Sequence, residues 1–169
     1  MLNNFLYIKF LFLIVTLLFV TMLFSKSDEL RTEIDNPKFS EKGLDDRVYE
    51  IKAKKGLKKE NELELFTIEG KFKTEKDGRW IYLTAEKGNY SQIHNYIELE
   101  ENIIFYTDDG EKLESDHATF DMKNDIIKLH ENVKHENVNG FVLSDNSTIS
   151  DNFNIIIYAG NVISTIKKD

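Results

Sequence analysis

Apolar and polar residues alternate along most of the chain after residue 47. In one stretch, Ile97 and Leu99 alternate with Glu98 and Glu100. Successive side chains of a strand point to opposite faces, so this alternation predicts strands with one dry face and one solvated face. Asp-Gly and Asn-Gly pairs, which suit tight turns, separate several of these segments. The predicted strands are 48–56, 62–73, 79–90, 95–107, 111–121, 125–135, 140–150 and 153–166.

The strands recur in a repeat of 29–30 residues, with copies that begin at residues 85, 115 and 144. Tyr90 and Phe120 hold the same apolar position in the first two copies. Each copy contains two strands and their turns, and stacked copies bury a shared inner face. No apolar period of helical length follows residue 30. The repeat therefore predicts an all-β domain whose function resides in an extended surface.

Asn102, Asn132 and Asn161 occupy one position of the repeat, where the apolar alternation is interrupted. Asparagine accepts a positive φ and hydrogen-bonds its own backbone in turns. We therefore interpret this position as a recurring bulge or turn, and not as a ligand site.

The N-terminal part of the chain has a different pattern. Residues 5–24 are apolar apart from Lys9, Thr16 and Thr21. A helix of about twenty residues spans about 30 Å, the thickness of the hydrocarbon core of a bilayer. Large side chains occupy the positions where signal-peptide cleavage needs small ones. We therefore expect an uncleaved transmembrane helix, and the positive charge before it favours a cytoplasmic N terminus.

Three segments are predicted from these patterns. Residues 1–25 are the transmembrane anchor, and residues 26–47 are a polar linker that contains the only proline, Pro37. Residues 48–169 form the β domain, which is long enough to bury a core of its own.

Composition and spacing offer little for catalysis or metal binding. The formal charge of −8 disfavours nucleic acid, and the absence of cysteine excludes disulfides and thiolate chemistry. His130 and His135 are five residues apart and point to opposite faces of a strand. Asp116, Asp121 and Asp125 lie around one predicted hairpin, where carboxylates are common for turn reasons. We expect no metal and no cofactor, and we expect that the protein is not an enzyme.

The order of these features resembles the LptC family, the single-span inner-membrane components of lipopolysaccharide export in Gram-negative bacteria. The likeness lies in the short anchor, in Asn36-Pro37-Lys38-Phe39, in Tyr49-Glu50-Ile51-Lys52-Ala53 and in the repeated strand pairs. Related sequences often carry Arg-Pro-Tyr before the first strand, where this chain has Arg47-Val48-Tyr49. The resemblance implies an open antiparallel β-jellyroll, a twisted two-layer sheet of repeated strand pairs, after one N-terminal transmembrane helix.

The resemblance also implies a function and a set of partners. Such a protein receives lipopolysaccharide from an inner-membrane ABC transporter, which supplies the energy. It holds the acyl chains in a groove of the jellyroll and passes the lipid to a soluble periplasmic LptA-type bridge protein by edge-to-edge strand pairing. The implied location is the bacterial inner membrane, crossed once, with the C-terminal domain in the periplasm.

Two groups of residues are candidates for these roles. The inward residues that would contact acyl chains are Ile51, Leu65, Tyr82, Tyr90, Ile97, Leu99, Phe105, Phe120, Ile127, Leu129, Val133 and Ile156. The residues of the partner edge are Ile155, Ile157, Val162, Ile163 and Thr165. The last predicted strand has no proline and is strongly β-prone, as expected of an edge that templates another chain. An interior strand of a closed fold is the alternative.

Two other functions fit the same sequence. A ligand-free, membrane-tethered β-scaffold predicts a solid core and no bound lipid. A membrane-anchored hydrolase predicts carboxylates that converge in a pocket. Apolar counts do not decide between a packed core and a groove, so this choice stays open at the level of sequence.

Overall fold

The computed structural model describes residues 31–42, 48–74, 78–151 and 153–167. The anchor predicted over residues 1–25 lies outside these ranges. Among the described residues, no helix is long and apolar enough to cross a bilayer.

The described residues form one open antiparallel sheet of eleven strands. The strands are β1 (Thr32–Asp35), β2 (Lys38–Lys42), β3 (Val48–Lys59), β4 (Glu62–Lys73), β5 (Trp80–Ser91), β6 (Tyr96–Thr107), β7 (Lys112–Asp121), β8 (Ile126–Asn137), β9 (Gly140–Ser150), β10 (Ile155–Ala159) and β11 (Ile163–Ile166). Consecutive long strands, β3 to β9, are neighbours in the sheet. The all-β prediction is confirmed, and the bounds of β3 to β9 lie within three residues of the predicted ones.

Each edge of the sheet is built from two short strands. β1 and β2 pair with opposite ends of β3, and β10 and β11 pair with opposite ends of β9. Residues 32–42, predicted as part of a linker, thus form β1 and β2. Strands of four or five residues are too short to be recognised from the alternation of apolar and polar residues. β1 and β2 pair with β3 because β3 would otherwise have unpaired backbone hydrogen-bonding groups along one side. The strand predicted over 153–166 is two strands, because Gly160 and Asn161 adopt positive φ between them.

The buried face changes parity near the middle of β3, β4, β5, β7 and β9. In β7, Ser115 and Ala118 are both buried although they are three residues apart. In the neighbouring β6, Glu101 and Asn102 lie at the same level and adopt positive φ. The ladders from β5 to β9 shift register at the same level. This line, which we call the crease, divides the sheet into two half-sheets that bury the same side.

The two half-sheets face each other. Half-sheet A comprises residues 38–42, 48–53, 68–73, 80–85, 103–107, 112–115, 133–137, 140–144 and 163–166. Half-sheet B comprises residues 32–35, 55–59, 62–66, 87–91, 96–100, 117–121, 126–130, 146–150 and 155–159.

Three strands separate Tyr49 in β3 from Phe120 in β7. In a flat sheet this separation would place them roughly 19 Å apart. Their ring centroids are only 4.9 Å apart. The sheet therefore folds over along the crease.

Candidate functional site

The space between the half-sheets is filled by apolar side chains. Ten of the twelve inward residues predicted from the sequence are at most 3% exposed; they are Ile51, Leu65, Tyr90, Ile97, Leu99, Phe105, Phe120, Ile127, Leu129 and Val133. They belong to one contiguous core cluster, against which Ile156 of β10 packs while partly buried. Side chains that contact each other to this degree leave no open channel among them. The interior is therefore closed in this conformation.

Tyr82 is the exception, because its side chain lies on the outer face. It falls between the buried Ile81 and Leu83, and its ring stacks on Tyr106 of β6 with centroids 5.1 Å apart. The prediction that Tyr82 faces inward is wrong. Residues 80–83 are all apolar or aromatic, so their sequence contains no alternation that could show which of them is buried. Tyr82 instead lines an outer groove of about 960 Å³ on half-sheet A.

The free ends of the half-sheets meet opposite the crease, along a line that we call the seam. Aromatic pairs cross the seam: Phe39 stacks on Tyr90 with centroids 4.4 Å apart, and the Phe72 and Phe153 centroids are 5.7 Å apart. Phe39 belongs to β2, the segment that the sequence placed in a linker. The segment Lys-Phe-Ser-Glu-Lys over residues 38–42 contains a single apolar residue, so its sequence carries no alternation long enough to identify a strand.

Two tyrosine hydroxyls also cross the seam and donate to carboxylates. Tyr49 Oη donates to Asp125 Oδ1 at 2.6 Å, and Asp125 is only 8% exposed. Tyr90 Oη donates to Glu41 Oε1. Burial, together with the hydrogen bond to Glu41, raises the pKa of Tyr90 far above its ordinary value, so its proton stays on the hydroxyl. These contacts join residues that no local pattern relates, and the sequence did not predict them.

The predicted partner-edge residues lie on the outer edge of the sheet. Ile155, Ile157, Val162 and Ile163 are 47–59% exposed, and Thr165 is exposed as well. Among the described strands, β10 and β11 each have β9 as their only neighbour. The backbone groups on the far side of these two strands therefore have no ladder partner within the described chain, as the edge prediction requires.

A polar cluster attaches β10 to half-sheet A. Tyr158 of β10 contacts His135 Nδ1, and His135 Nε2 lies 2.9 Å from Glu111 Oε1. Arg79 Nη1 donates to Glu111 Oε2 at 2.9 Å. Hydrogen bonding to His135 lowers the pKa of Glu111, burial opposes this shift, and Arg79 adds to it. Burial and the charge of Glu111 raise the pKa of Tyr158 to about 12, so its hydroxyl remains a donor.

The three repeated asparagines have a structural role at the crease. All three adopt positive φ, which confirms the predicted bulge or turn. Their side chains bond to carboxylates, and not to their own backbone as expected. Asn102 donates to Glu86 at 2.5 Å, Asn132 to Asp116 at 2.5 Å and Asn161 to Asp145 at 2.9 Å. The first two bonds join neighbouring strands where the sheet bends, and the third joins the link between β10 and β11 to β9.

The carboxylates considered for acid–base chemistry have separate partners. Asp116 accepts from Asn132, Asp121 accepts from Asn124, and Asp125 accepts from Tyr49. Within the described ranges, no group of three or more His, Cys, Asp or Glu side chains could hold a metal ion. His130 contacts Asn146 on the outer face at 2.9 Å. These residues therefore form no convergent site in the part of the chain that the structure describes.

No protein-family model matches this sequence, and no curated protein matches it. Its function must therefore be argued from the residues and their geometry. The two features with functional potential are the apolar interior and the unpaired edge formed by β10 and β11.

Proposed function

We propose that this protein is a membrane-anchored component of lipopolysaccharide transport, of the LptC type, and that its folded sheet is an open β-jellyroll. It receives lipopolysaccharide from an inner-membrane ABC transporter and shelters the acyl chains between half-sheets A and B. It then passes the lipid to a periplasmic LptA-type bridge protein. The observation that carries the proposal is the continuous apolar layer between two half-sheets whose described strands run from one to the other at the crease.

The chemistry of the interior supports an acyl-chain ligand. The inward side chains of both half-sheets are predominantly aliphatic or aromatic from β3 to β9. Burial of an acyl chain contributes about 0.8 kcal/mol per methylene group. An acyl chain between the half-sheets replaces contacts among side chains by equally apolar contacts with lipid. The separation of the half-sheets and the loss of freedom of the lipid oppose binding.

The C-terminal edge supports transfer to a partner by strand pairing. β10 and β11 present unpaired backbone and the exposed side chains Ile155, Ile157 and Ile163. An added strand completes the backbone hydrogen bonds and covers these side chains, which is how β-augmentation provides affinity and specificity. In this arrangement the apolar interior continues from one protein into the next.

The remaining parts of the proposal come from the resemblance. Residues 1–25 anchor the protein in the bacterial inner membrane by a single helix, and the β domain lies in the periplasm. The ABC transporter provides the energy, since the sequence contains neither a Gly-rich phosphate loop nor a P-loop motif, and it contains no nucleophile-elbow motif. The protein then acts as a lipid carrier without catalysis.

Site-specific photo-crosslinking to lipopolysaccharide tests the interior as the lipid site. A photoreactive phenylalanine analogue replaces Phe105, which is completely buried, and the matched control replaces the outward Tyr82 in the same half-sheet. We expect lipid adducts at position 105 and none at position 82. Circular dichroism of both variants establishes that they are folded. Equal labelling at both positions, or none at either, contradicts the proposal.

A ligand-free scaffold is the second candidate, and the closed interior favours it. Ten predicted groove residues are at most 3% exposed, which is typical of a solid core. The scaffold predicts that partner strands pair with β10 and β11 while position 105 never labels with lipid. The same crosslinking experiment therefore separates the two functions.

A further inference from the structure

We propose that the seam is the route by which acyl chains reach the interior, and that Tyr49–Asp125 and Tyr90–Glu41 are the two hydrogen bonds that hold it closed. This inference rests on the proposed function, because it concerns the admission of lipid. Beyond that function, it identifies where the domain opens and which residues control the opening.

The seam is the weaker of the two boundaries between the half-sheets. At the crease, the long strands run continuously from one half-sheet to the other. Asn102 and Asn132 bond across neighbouring strands there, and Asn161 ties the link between β10 and β11 to β9. The ladders of the described strands all join sheet neighbours, and the contacts described across the seam are made by side chains. Separation at the seam therefore breaks no described ladder, whereas separation at the crease breaks the sheet.

The contacts at the seam are of a kind that water can replace. The Tyr49 hydroxyl and the Asp125 carboxylate bond to each other at 2.6 Å when the seam is closed. Both groups hydrate when it opens, so the net loss is much smaller than the strength of the bond in an apolar medium. Deeper in the interior, Leu65, Phe105 and Leu129 carry no polar atom on their side chains. The polar contacts thus lie at the rim, where an opening movement begins.

β2 is the segment that closes the N-terminal end of the seam. It has five residues and pairs only with β3 among the described strands. Its inward side chains, Phe39 and Glu41, cover the ring and the hydroxyl of Tyr90 in half-sheet B. A short edge strand has few ladder bonds to lose, so β2, like the four-residue β11 at the other edge, is a part of half-sheet A that moves readily. Movement of β2 uncovers Tyr90 and exposes the interior between β3 and β5.

A chemical bridge across the seam tests the inference. Glu41 and Asn95 both contact the Tyr90 hydroxyl from opposite sides of the seam, Asn95 Oδ1 at 3.3 Å. The chain has no cysteine, so the pair Glu41→Cys and Asn95→Cys introduces the only thiols. A bifunctional thiol reagent whose reach matches the roughly 10 Å between facing sheets joins them. The control pair, Lys52→Cys and Glu69→Cys, joins paired residues of β3 and β4 within half-sheet A.

Lipopolysaccharide is the probe, and photo-crosslinking at position 105 is the readout in both proteins. We expect the bridged seam to abolish labelling, at least tenfold below the unbridged protein, and the bridged control to label normally. Normal labelling with the seam bridged overturns the inference and leaves the proposed function intact. Absence of labelling in the unbridged proteins, although they are folded, overturns the proposed function and the inference together.

A second variant tests the Tyr49–Asp125 bond without a reagent. Tyr49→Phe keeps the ring against Phe120 and removes only the hydroxyl. We expect lipid capture to become about tenfold faster. This ratio of the two rates corresponds to the loss of one hydrogen bond to a charged group. The control is Tyr106→Phe on the outer face, which should leave the rate unchanged. An unchanged or slower rate in Tyr49→Phe contradicts the role of this bond.

Discussion

Asn132 and Asp116 are joined by a hydrogen bond of 2.5 Å that crosses from β8 to β7 at the crease. The residues are sixteen positions apart, and the same separation relates Asn102 to Glu86 and Asn161 to Asp145. Each copy of the repeat thus encodes one bend with one side-chain bond. Because every copy bends at the same level, the bends line up and the whole sheet folds in one direction.

Replacement of Asn132 should separate its two contributions to the bend. Asn132→Ala loses the hydrogen bond and places a Cβ-bearing residue with low left-handed propensity at φ 52°. We expect a loss of about 1–2 kcal/mol in the free energy of unfolding. Asn132→Gly keeps the backbone conformation and should cost less. Urea unfolding measures the loss for both variants. Equal losses in the free energy of unfolding would show that the positive φ of Asn132 does not contribute to it.

A charge at Phe120 should unfold the domain or abolish lipid crosslinking. Phe120 is 1% exposed and contacts the rings of Tyr49 and Phe72. Phe120→Asp removes these contacts, which costs about 3–5 kcal/mol, and buries a carboxylate without a partner in addition. The outward control Tyr82→Asp should stay within about 1 kcal/mol of the parent. Circular dichroism and urea unfolding distinguish them, and a folded Phe120→Asp protein that still captures lipid refutes the groove.

The stability of the domain should fall at acid pH, partly through Glu111. Its folded-state pKa is below the ordinary value of 4.5 because of His135 and Arg79. The stabilisation is therefore complete above pH 4.5 and is lost as the pH falls through the lower folded-state pKa. Glu111→Gln should flatten this part of the profile, measured by urea unfolding from pH 6 to pH 3, whereas the exposed control Glu64→Gln should not. An unchanged acid slope in Glu111→Gln would exclude this contribution.

Gly160 should be intolerant of a side chain. It lies at φ 74°, and an added Cβ would collide with the Asp145 side chain that bonds to Asn161. We expect Gly160→Ala to cost about 1–2 kcal/mol and to increase amide hydrogen exchange in β10 and β11 first. Asp145→Ala in the same chain removes the collision with the carboxylate. It keeps the close approach to the Cβ of residue 145 and the backbone strain, and it loses the bond to Asn161, so it should restore only part of the loss. Complete restoration would mean that the backbone conformation is not strained.

Ile157 should matter for pairing with a partner and not for the fold. Its side chain is 59% exposed on the edge strand β10. Ile157→Lys should change the free energy of unfolding by no more than about 0.5 kcal/mol, since it removes little buried contact. A lysine on the edge disfavours the addition of a strand, so crosslinks between this edge and an LptA-type protein should decrease. Lys128→Ala, on the outer face of the interior strand β8, is the control. Undiminished crosslinks in Ile157→Lys would place the partner elsewhere.

The sequence by itself determined the seven long strands, β3 to β9, and most of their turns, together with the recurring bulge at Asn102, Asn132 and Asn161. These features depend on neighbouring residues: side chains alternate with period two, and Asn-Gly and Asp-Gly pairs favour tight turns. Phe120 and Leu129 could therefore be assigned to the inner face from their own strands. The edge position of Ile155 and Ile157 was implied by the family resemblance, with an interior strand as the alternative, and β10 lies at the end of the strand order.

Only the tertiary structure decided which residues meet between the half-sheets. Tyr49 and Asp125 are 76 residues apart, and nothing in either segment indicates that they bond. β2, with Phe39 and Glu41, is too short for its alternation to stand out, and its place depends on the free edge of β3 and the ring of Tyr90. Tyr82 lies in an unbroken apolar run, so its outward direction is decided by the packing of its neighbours. Contacts across the seam arise from the folding of the whole sheet, and local periodicity carries no information about them.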